Sequence, residues 1–307
     1  MQLTPLTPAA ISEVLPFFAA RRDRFCDWTA GVVCLWQPYY RYRYTLTDGC
    51  FSLVGHYGEG DCFSYPTGGD VSAALDSLAA HSRAAGQPLR FSPVTPEEAA
   101  TLAARWPQAI VTTHRDAWDY LYRYTDLSSF AGRRYSPQRN HLHRFTAACP
   151  DWQYRPMTPA DAPAVEAFLR DFNARRAADG GLSAAEQAEE EALPRLLALL
   201  APPQPEALPA PRILGGLLLV DGRLAAFSVG EILGDTLHVH VEKADTAYPG
   251  IYPMMVREFA AHSAAPGVEY INRQDDAGSE GLRHSKLAYH PCALLEKCTV
   301  TVPRDAL

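Results

Sequence analysis

"RILGGLLLVDGRLAAFSVGEILGDTLHVHVEKA", residues 212–244, decides the fold. Three apolar runs, 212–220, 223–233 and 236–244, are separated by Asp221-Gly222 and Gly234-Asp235. Such pairs supply the positive-φ residues of tight hairpin turns, so the stretch predicts a three-stranded antiparallel meander. Two helical patterns precede it. One follows Thr158-Pro159 with an apolar stripe at Val165, Phe168, Leu169 and Phe172; the other opens at Ser183. A proline-rich loop over 201–211 joins them to the meander. Downstream, the pattern predicts a helix near 250–263, a strand at 267–271, a helix near 279–288 and a final β pair over 292–302.

The amino-terminal part reads as a looser copy of that order. A helix at 9–20 leads into strands, with Val32, Cys34 and Trp36 alternating and then Tyr40, Tyr42 and Tyr44. Asp48-Gly49 marks a hairpin. A helix from Asp70 to Ala85 stops at Gly86, and Thr95, Pro96 and Glu98 form a capping box for the next. "WDYLYRYT" (118–125) is an aromatic strand. Alternating elements of this kind make a mixed α/β protein, and 307 residues suit two units, 1–150 and 151–307.

The net charge of −7 disfavours general attraction to nucleic acid or anionic lipid, so any anion site is a local basic patch. Seven cysteines without a CxxC pair, and an amino terminus with no basic leader, point to free thiols and a cytoplasmic location. The longest apolar run, "ILGGLLLV" (213–220), is far shorter than the roughly 20 residues that a membrane span needs, so no integral membrane contact is expected. No P-loop, GxSxG, HExxH or dinucleotide fingerprint occurs. The acidic run 186–192 reads as a solvated helix face, and the tyrosines of 39–44 as sheet packing rather than base stacking. Cys149 has no histidine at a spacing that would make it a nucleophile.

Three places carry candidate chemistry. Strand alternation in "HVHVEK" (238–243) puts His238, His240 and Glu242 on one face, a polar cleft lining with Glu242 as general base. A satisfied sheet face and a His-x-His metal pair are the alternatives. "RRYSPQRNHLHRF" (133–145) concentrates Arg133, Arg134, Arg139 and Arg144 without an acid. At helical spacing Arg139 stacks with His143 and Asn140 with Arg144, a stripe suited to phosphate, with a solvated face or internal ion pairs as the alternative. "YINRQDDAGSEGLRHSKLAYHP" (270–291) gathers Asn272, Arg273 and Asp275 at a strand tip, with Arg283 and Lys286 on one face of the next helix. Ligands sit beyond the carboxyl ends of such strands, so a binding site is expected there; an interdomain salt-bridge cluster is the alternative.

The stretches 124–145, 237–260 and 270–291, in that order and spacing, resemble the soluble family related to the carboxy-terminal domain of phosphatidylglycerol lysyltransferases (DUF2156-like). The resemblance implies two tandem acetyltransferase-like (GNAT) folds and aminoacyl transfer from a charged tRNA to an amine- or hydroxyl-bearing acceptor, a small molecule or peptide. Under it, Glu242, Arg273 and Lys286 would be catalytic, and Arg139, Asn140, His143, His240, Tyr248, Gly250, Asn272, Asp275 and Arg283 would bind substrate. Acyl-CoA is the alternative donor. Its pyrophosphate would need a glycine-rich turn at 245–255, where Gly250 is flanked by Pro249, Tyr252 and Pro253. A module that binds an anionic metabolite or RNA without catalysis is the third reading.

Overall fold

The computed structural model describes residues 1–57, 60–200 and 211–307, without the side chain of Asp179; the expected loop over 201–211 lies almost wholly outside the described residues. The first sheet contains β1 (Thr4–Pro5), β2 (Arg43–Thr47), β3 (Cys50–Tyr57), β4 (Gly60–Phe63), β5 (Thr67–Gly68), β6 (Leu89–Val94) and β7 (Ile110–Thr113). The second contains β8 (Asp119–Arg123), β9 (Trp152–Pro156), β10 (Arg212–Val220), β11 (Arg223–Leu233), β12 (Thr236–Ala244), β13 (Tyr270–Asn272) and β14 (Ala293–Leu295). A last strand, β15 (Cys298–Val302), returns to the first sheet.

Strand order is β1-β2-β3-β4-β6-β15-β7, with β5 on β3, in one sheet and β14-β8-β13-β12-β11-β10-β9 in the other. Each sheet is antiparallel except for one parallel pair, β4 with β6 and β12 with β13. The meander forms as its turns dictate: Asp221, Gly222 and Gly234 all take positive φ. The sequence division at 150 separates neither sheet cleanly, since β8 lies in the second and β15 in the first. The residues expected as a closing β pair are therefore not paired with each other. β14 pairs with β8 while β15 sits between β6 and β7, the chain crossing between sheets at Glu296 and Lys297.

The helices are α1 (Ile11–Ala20), α2 (Ala30–Tyr40), α3 (Val71–Ala85), α4 (Pro96–Arg105), α5 (Tyr124–Ser129), α6 (Ser136–Ala148), α7 (Ala162–Gly180), α8 (Ala184–Leu197), α9 (Ile251–His262) and α10 (Glu280–Leu287). The capping boxes at Thr95 and Ser183 are present, and Gly86 closes α3 in the left-handed conformation. On one face of the second sheet α5, α6 and α9 bury Tyr122, Leu127, Phe145, Phe259 and Ile271. On the other face α7 and α8 pack Val165, Leu169, Leu193 and Leu196 against Phe227 and Val241.

The strands expected over 32–40 are instead α2. Every residue from Ala30 to Leu35 is buried, so the alternation of Val32, Cys34 and Trp36 does not mark one face of anything. Thr29 caps the helix, its hydroxyl accepting from Val32 N–H at 3.3 Å, and Arg41 ends it at φ 49°. Burial on all sides overrides the strand preference of Val32 and Val33. Leu35 joins the core under the second sheet and Val33 the core under the first, so α2 wedges between them.

Candidate functional site

A β-bulge on β12 organises the site. Val229 of β11 pairs with Val241 and Gly230 with Val239, which leaves His240 as the extra residue. The expectation that His238, His240 and Glu242 share a face fails for this reason. Leu237 and Val239 face α9; after the bulge it is Glu242 that returns to that side, and Val241 points to the α7–α8 core. His238 and His240 look the other way, toward the first sheet and α2. His240 is fully buried, with Nε2 3.4 Å from Glu231 and Nδ1 3.4 Å from the Gln274 amide. Glu231 in turn accepts from the Ala30 and Gly31 N–H groups at the start of α2, at 3.2 and 2.7 Å.

Glu242 meets Arg273, the residue just past the tip of β13. One guanidinium nitrogen, Nη2, donates to Glu242 Oε1 at 2.7 Å, and Ser228 Oγ donates to Oε2 at 3.1 Å. Both carboxylate oxygens are thus occupied, which makes Glu242 an anchor for the guanidinium rather than a free base. Arg273 also stacks over the Tyr289 ring, 4.9 Å from its centroid. Burial opposes its charge, but Glu242 prevails and raises its pKa. The other terminal nitrogen, Nη1, is buried with no hydrogen-bond partner among the described residues. Arg273 and Glu242 line a cavity of about 10 Å³ with Leu127, Leu237, Val239, Val256, Phe259, Ala260 and Ile271. That is room for one small polar group on apolar walls. Tyr122 and Tyr289 have phenols pushed up by burial, and burial plus Glu242 pushes Tyr252 up to about 12, so all three keep their protons at neutral pH.

Lys286 of α10 points inward. Its ammonium donates to the Arg273 carbonyl at 2.6 Å and to the Asp275 carbonyl, and lies 5.6 Å from the Tyr120 ring centroid. Burial, then the charge of Arg273, lowers its pKa to about 8. Asp275 shifts upward through burial. A group near pKa 8 titrates in the working range of a proton relay. Any transfer activity is expected to rise with an inflection close to pH 8, and Lys286→Arg is expected to abolish that inflection; initial rates from pH 6.5 to 9.5 measure it.

The other candidates at the strand tip serve the framework. Asn272 is fully buried, its amide donating to Arg24 O at 2.8 Å and Asp119 Oδ2 at 2.9 Å while its oxygen accepts from Gln274 N–H. Arg283 binds Asp276 and Asp116, with Tyr120 and Arg115 completing the group. Burial works against the Asp276 charge, yet Arg283 and Tyr120 hold its carboxyl at about 2. Between the sheets, Lys297 reaches Asp27 at 2.6 Å and Asp119 at 2.8 Å. Cys26, Asp27 and Asp119 have metal-like proximity, but the Lys297 ammonium supplies the cation there.

The basic stretch divides. Arg134 pairs with Asp126, and Arg139 clamps the Phe130 and Gly132 carbonyls at 2.6 and 2.7 Å. Arg133, in the 3₁₀ turn just before α6, and Asn140, His143 and Arg144 on α6 are exposed, and neither arginine has an ion-pair partner among the described residues. The amino-terminal end of α6 abuts the site: Tyr135 Oη donates to the Tyr289 carbonyl at 3.0 Å and Gln138 to that of Ala288. Gly250, at φ 83°, caps α9, and a Cβ there would lie 2.2 Å from the His141 carbonyl of α6. Tyr248 half-buries against the same core, and its carbonyl accepts from Ile251 N–H.

Sequence reasoning missed Tyr122, Tyr252, Tyr289 and Ser228, whose types fit ordinary packing. The bulge did leave a sign: Gly230 stands mid-strand, and its ideal Cβ would lie 2.6 Å from His238 O. The acidic run is not simply solvated either, since Glu189 pairs with Lys243 at 2.7 Å and Glu190 accepts from Asn173. Tyr40 packs on Tyr57 and Tyr42, and burial pushes the Cys149 thiol up, away from the thiolate a nucleophile needs.

Among the described residues no helix is long and apolar enough to cross a membrane. No curated protein matches the sequence. A solved conserved protein of unknown function from Bacteroides thetaiotaomicron is 28% identical with a TM-score of 0.88, covering 99% of this chain and 100% of its own. The C-terminal DUF2156 domain of a putative lysylphosphatidylglycerol synthetase from Agrobacterium fabrum, at 14% identity, superposes with a TM-score of 0.66 over 98% of this chain and 94% of its own. A tandem GNAT protein from the clavulanic acid biosynthesis pathway, at 9% identity, reaches 0.50 over 99% and 98%. These likenesses and the two mixed sheets make the fold a tandem of GNAT-like units. With the description "Phosphatidylglycerol lysyltransferase, C-terminal" matching residues 20–300, the chain belongs to that family.

Proposed function

We propose that this protein is an acyltransferase that moves an aminoacyl group from a charged tRNA to an amine- or hydroxyl-bearing acceptor. The observation that carries the reading is Arg273, a guanidinium fixed by Glu242 and Tyr289 with Nη1 buried and without a partner among the described residues. When an amine lone pair adds to the ester carbonyl carbon, negative charge develops on the carbonyl oxygen, and a preformed donor in a dry site stabilises it. The tetrahedral species collapses as the ribose oxygen leaves, and the proton lost by the amine ends on that oxygen. Lys286 is the group suited to relay it, and the phenols of Tyr252 and Tyr289 are the further donors nearby. Arg133 just before α6 and Arg144 on it would meet the phosphates of the tRNA end.

The turn before α9 counts against acyl-CoA as donor. Pro249 and Pro253 have no N–H, that of Ile251 is engaged with Tyr248, and the His141 carbonyl already lies against Gly250. Little remains to cradle a pyrophosphate. The test uses a mixed pool of charged tRNAs with hydroxylamine as a small amine acceptor, and counts aminoacyl hydroxamate above the uncatalysed rate. Wild type is expected to accelerate transfer, and Arg273→Ala to lower kcat by about a hundred- to a thousandfold with KM nearly unchanged. Equal rates with and without protein, or acetyl-CoA replacing the charged tRNA as donor, would overturn it.

A further inference from the structure

Arg273 and Gln274 form a second β-bulge, beside the one at His240. Arg273 N–H donates to Tyr120 O at 3.0 Å, while Tyr120 N–H donates to Gln274 O, also at 3.0 Å. Two residues of the chain leaving β13 therefore stand opposite one of β8, and the second of them has a left-handed backbone, φ 58°. Glutamine does not adopt that conformation freely, so its neighbours must enforce it. The Asn272 side-chain oxygen accepts from Gln274 N–H at 2.7 Å, which ties the turn down. The bulge also leaves the Arg273 carbonyl out of the ladder, and the Lys286 ammonium donates to it at 2.6 Å. Bulges re-aim the side chains beside them, and this one sets both Arg273 and Lys286.

The two bulges touch. The Gln274 amide nitrogen lies 3.4 Å from His240 Nδ1, so a residue of one bulge meets the extra residue of the other. With the amide donating, Nδ1 accepts and the ring proton sits on Nε2, which faces Glu231 Oε2 at 3.4 Å. The ring has no room to retreat, because α2 packs directly on it: a Cβ on Gly31 would lie 2.3 Å from Nε2. Glu231 is fixed in turn by the N–H groups of Ala30 and Gly31. Glu242 stands two residues past the first bulge and Arg273 within the second, and the pair meet at 2.7 Å.

We infer that Gln274 and His240 are positioning residues, whose contact interlocks the two bulges and holds Arg273 and Lys286 at the angles that transfer requires. The inference rests on the role proposed for Arg273, since Gln274 and His240 act through it and do not themselves touch the reacting atoms. The contact is long for a hydrogen bond. It matters because a displacement of about 1 Å at a reacting centre can cost about a hundredfold in rate.

The experiment uses Gln274→Met, which keeps the length of the side chain and removes the amide. In the hydroxylamine assay it is expected to lower kcat about ten- to a hundredfold with KM nearly unchanged. On an Arg273→Ala background it should cost nothing further, because the two act as a unit. His240→Leu should match it, and His240→Asn, whose amide oxygen takes the place of Nδ1, should recover most of the loss. Gln274 is only half-buried, so its variant keeps the test decisive if His240→Leu does not fold. A second readout needs no transfer: the Arg273 Nε–H resonance, identified by its disappearance in Arg273→Ala, should exchange with water about tenfold faster in Gln274→Met. Wild type that forms no hydroxamate would sink the transfer reading alone, and the exchange rate then decides the positioning. An exchange rate equal to that of wild type, or a kcat loss that multiplies with that of Arg273→Ala, overturns the inference.

Discussion

Lys297→Met is expected to destabilise the protein by about 3–5 kcal/mol, the cost of leaving a buried charge without its partner. Lys297 is 7% exposed, and its ammonium is the counter-ion for Asp119, which is 0% exposed, as well as for Asp27. Methionine retains the apolar stem, so packing changes little and the loss is electrostatic. The remaining donors to Asp119, the Cys26 N–H and thiol and the Asn272 amide, orient the carboxylate without neutralising it. Removing both charges in Asp119→Asn/Lys297→Met should recover most of the loss, because desolvation of the pair offsets much of its attraction. Urea midpoints of the four proteins in the cycle give the answer. A single variant within 1 kcal/mol of wild type, measured from those midpoints, would show that water reaches the cluster.

Acid should unfold the protein through His238. In the unfolded chain this imidazole takes its proton near pH 6.5, whereas the folded one resists until about pH 3, since burial and His240 oppose a charge there. Between those values the unfolded state binds the extra proton, so stability falls as pH is lowered through that window and is untouched above it. At about 1.4 kcal/mol per pH unit, the single residue removes up to about 5 kcal/mol, comparable with the whole stability of many domains. His238→Phe cannot titrate, so its stability should decline less steeply from pH 6.5 to 4 whatever its value at pH 7. Parallel slopes for the two proteins, read from urea midpoints at each pH, would refute it.

What the sequence made legible follows from how local each signal is. The meander is written in adjacent residues, as alternating apolar runs with turn pairs between them, and Thr95, Ser183 and Gly86 mark helix ends within one turn. The nearness of Arg273 and Lys286 was also within reach, since a strand tip and the following helix are bound to meet. The faults lie where distant chain decides. Nothing near Val32 tells that its helix is buried on all sides, and the even rhythm of "HVHVEK" hides a bulge in its pairing with the neighbouring strand. Nor can short range show that Arg283 is spent on Asp116, or that the Cα atoms of Leu295 and Cys298 belong to different sheets.

That last crossing has a consequence for how the molecule is made. β15 lies between β6 and β7, with Cys298 opposite Val94 on one side and Thr113 on the other. The β6 and β7 strands thus wait for residues synthesised roughly two hundred positions later, and ladders closed over such a span form slowly. Until then Val94 and Val111 stay unpaired along that edge, an aggregation hazard that a nascent chain carries. Assembly of the early residues is gated by the late ones, so a chain stalled before Cys298 carries every strand of the second sheet but leaves the first without β15, and a chaperone would find its natural client in that interval.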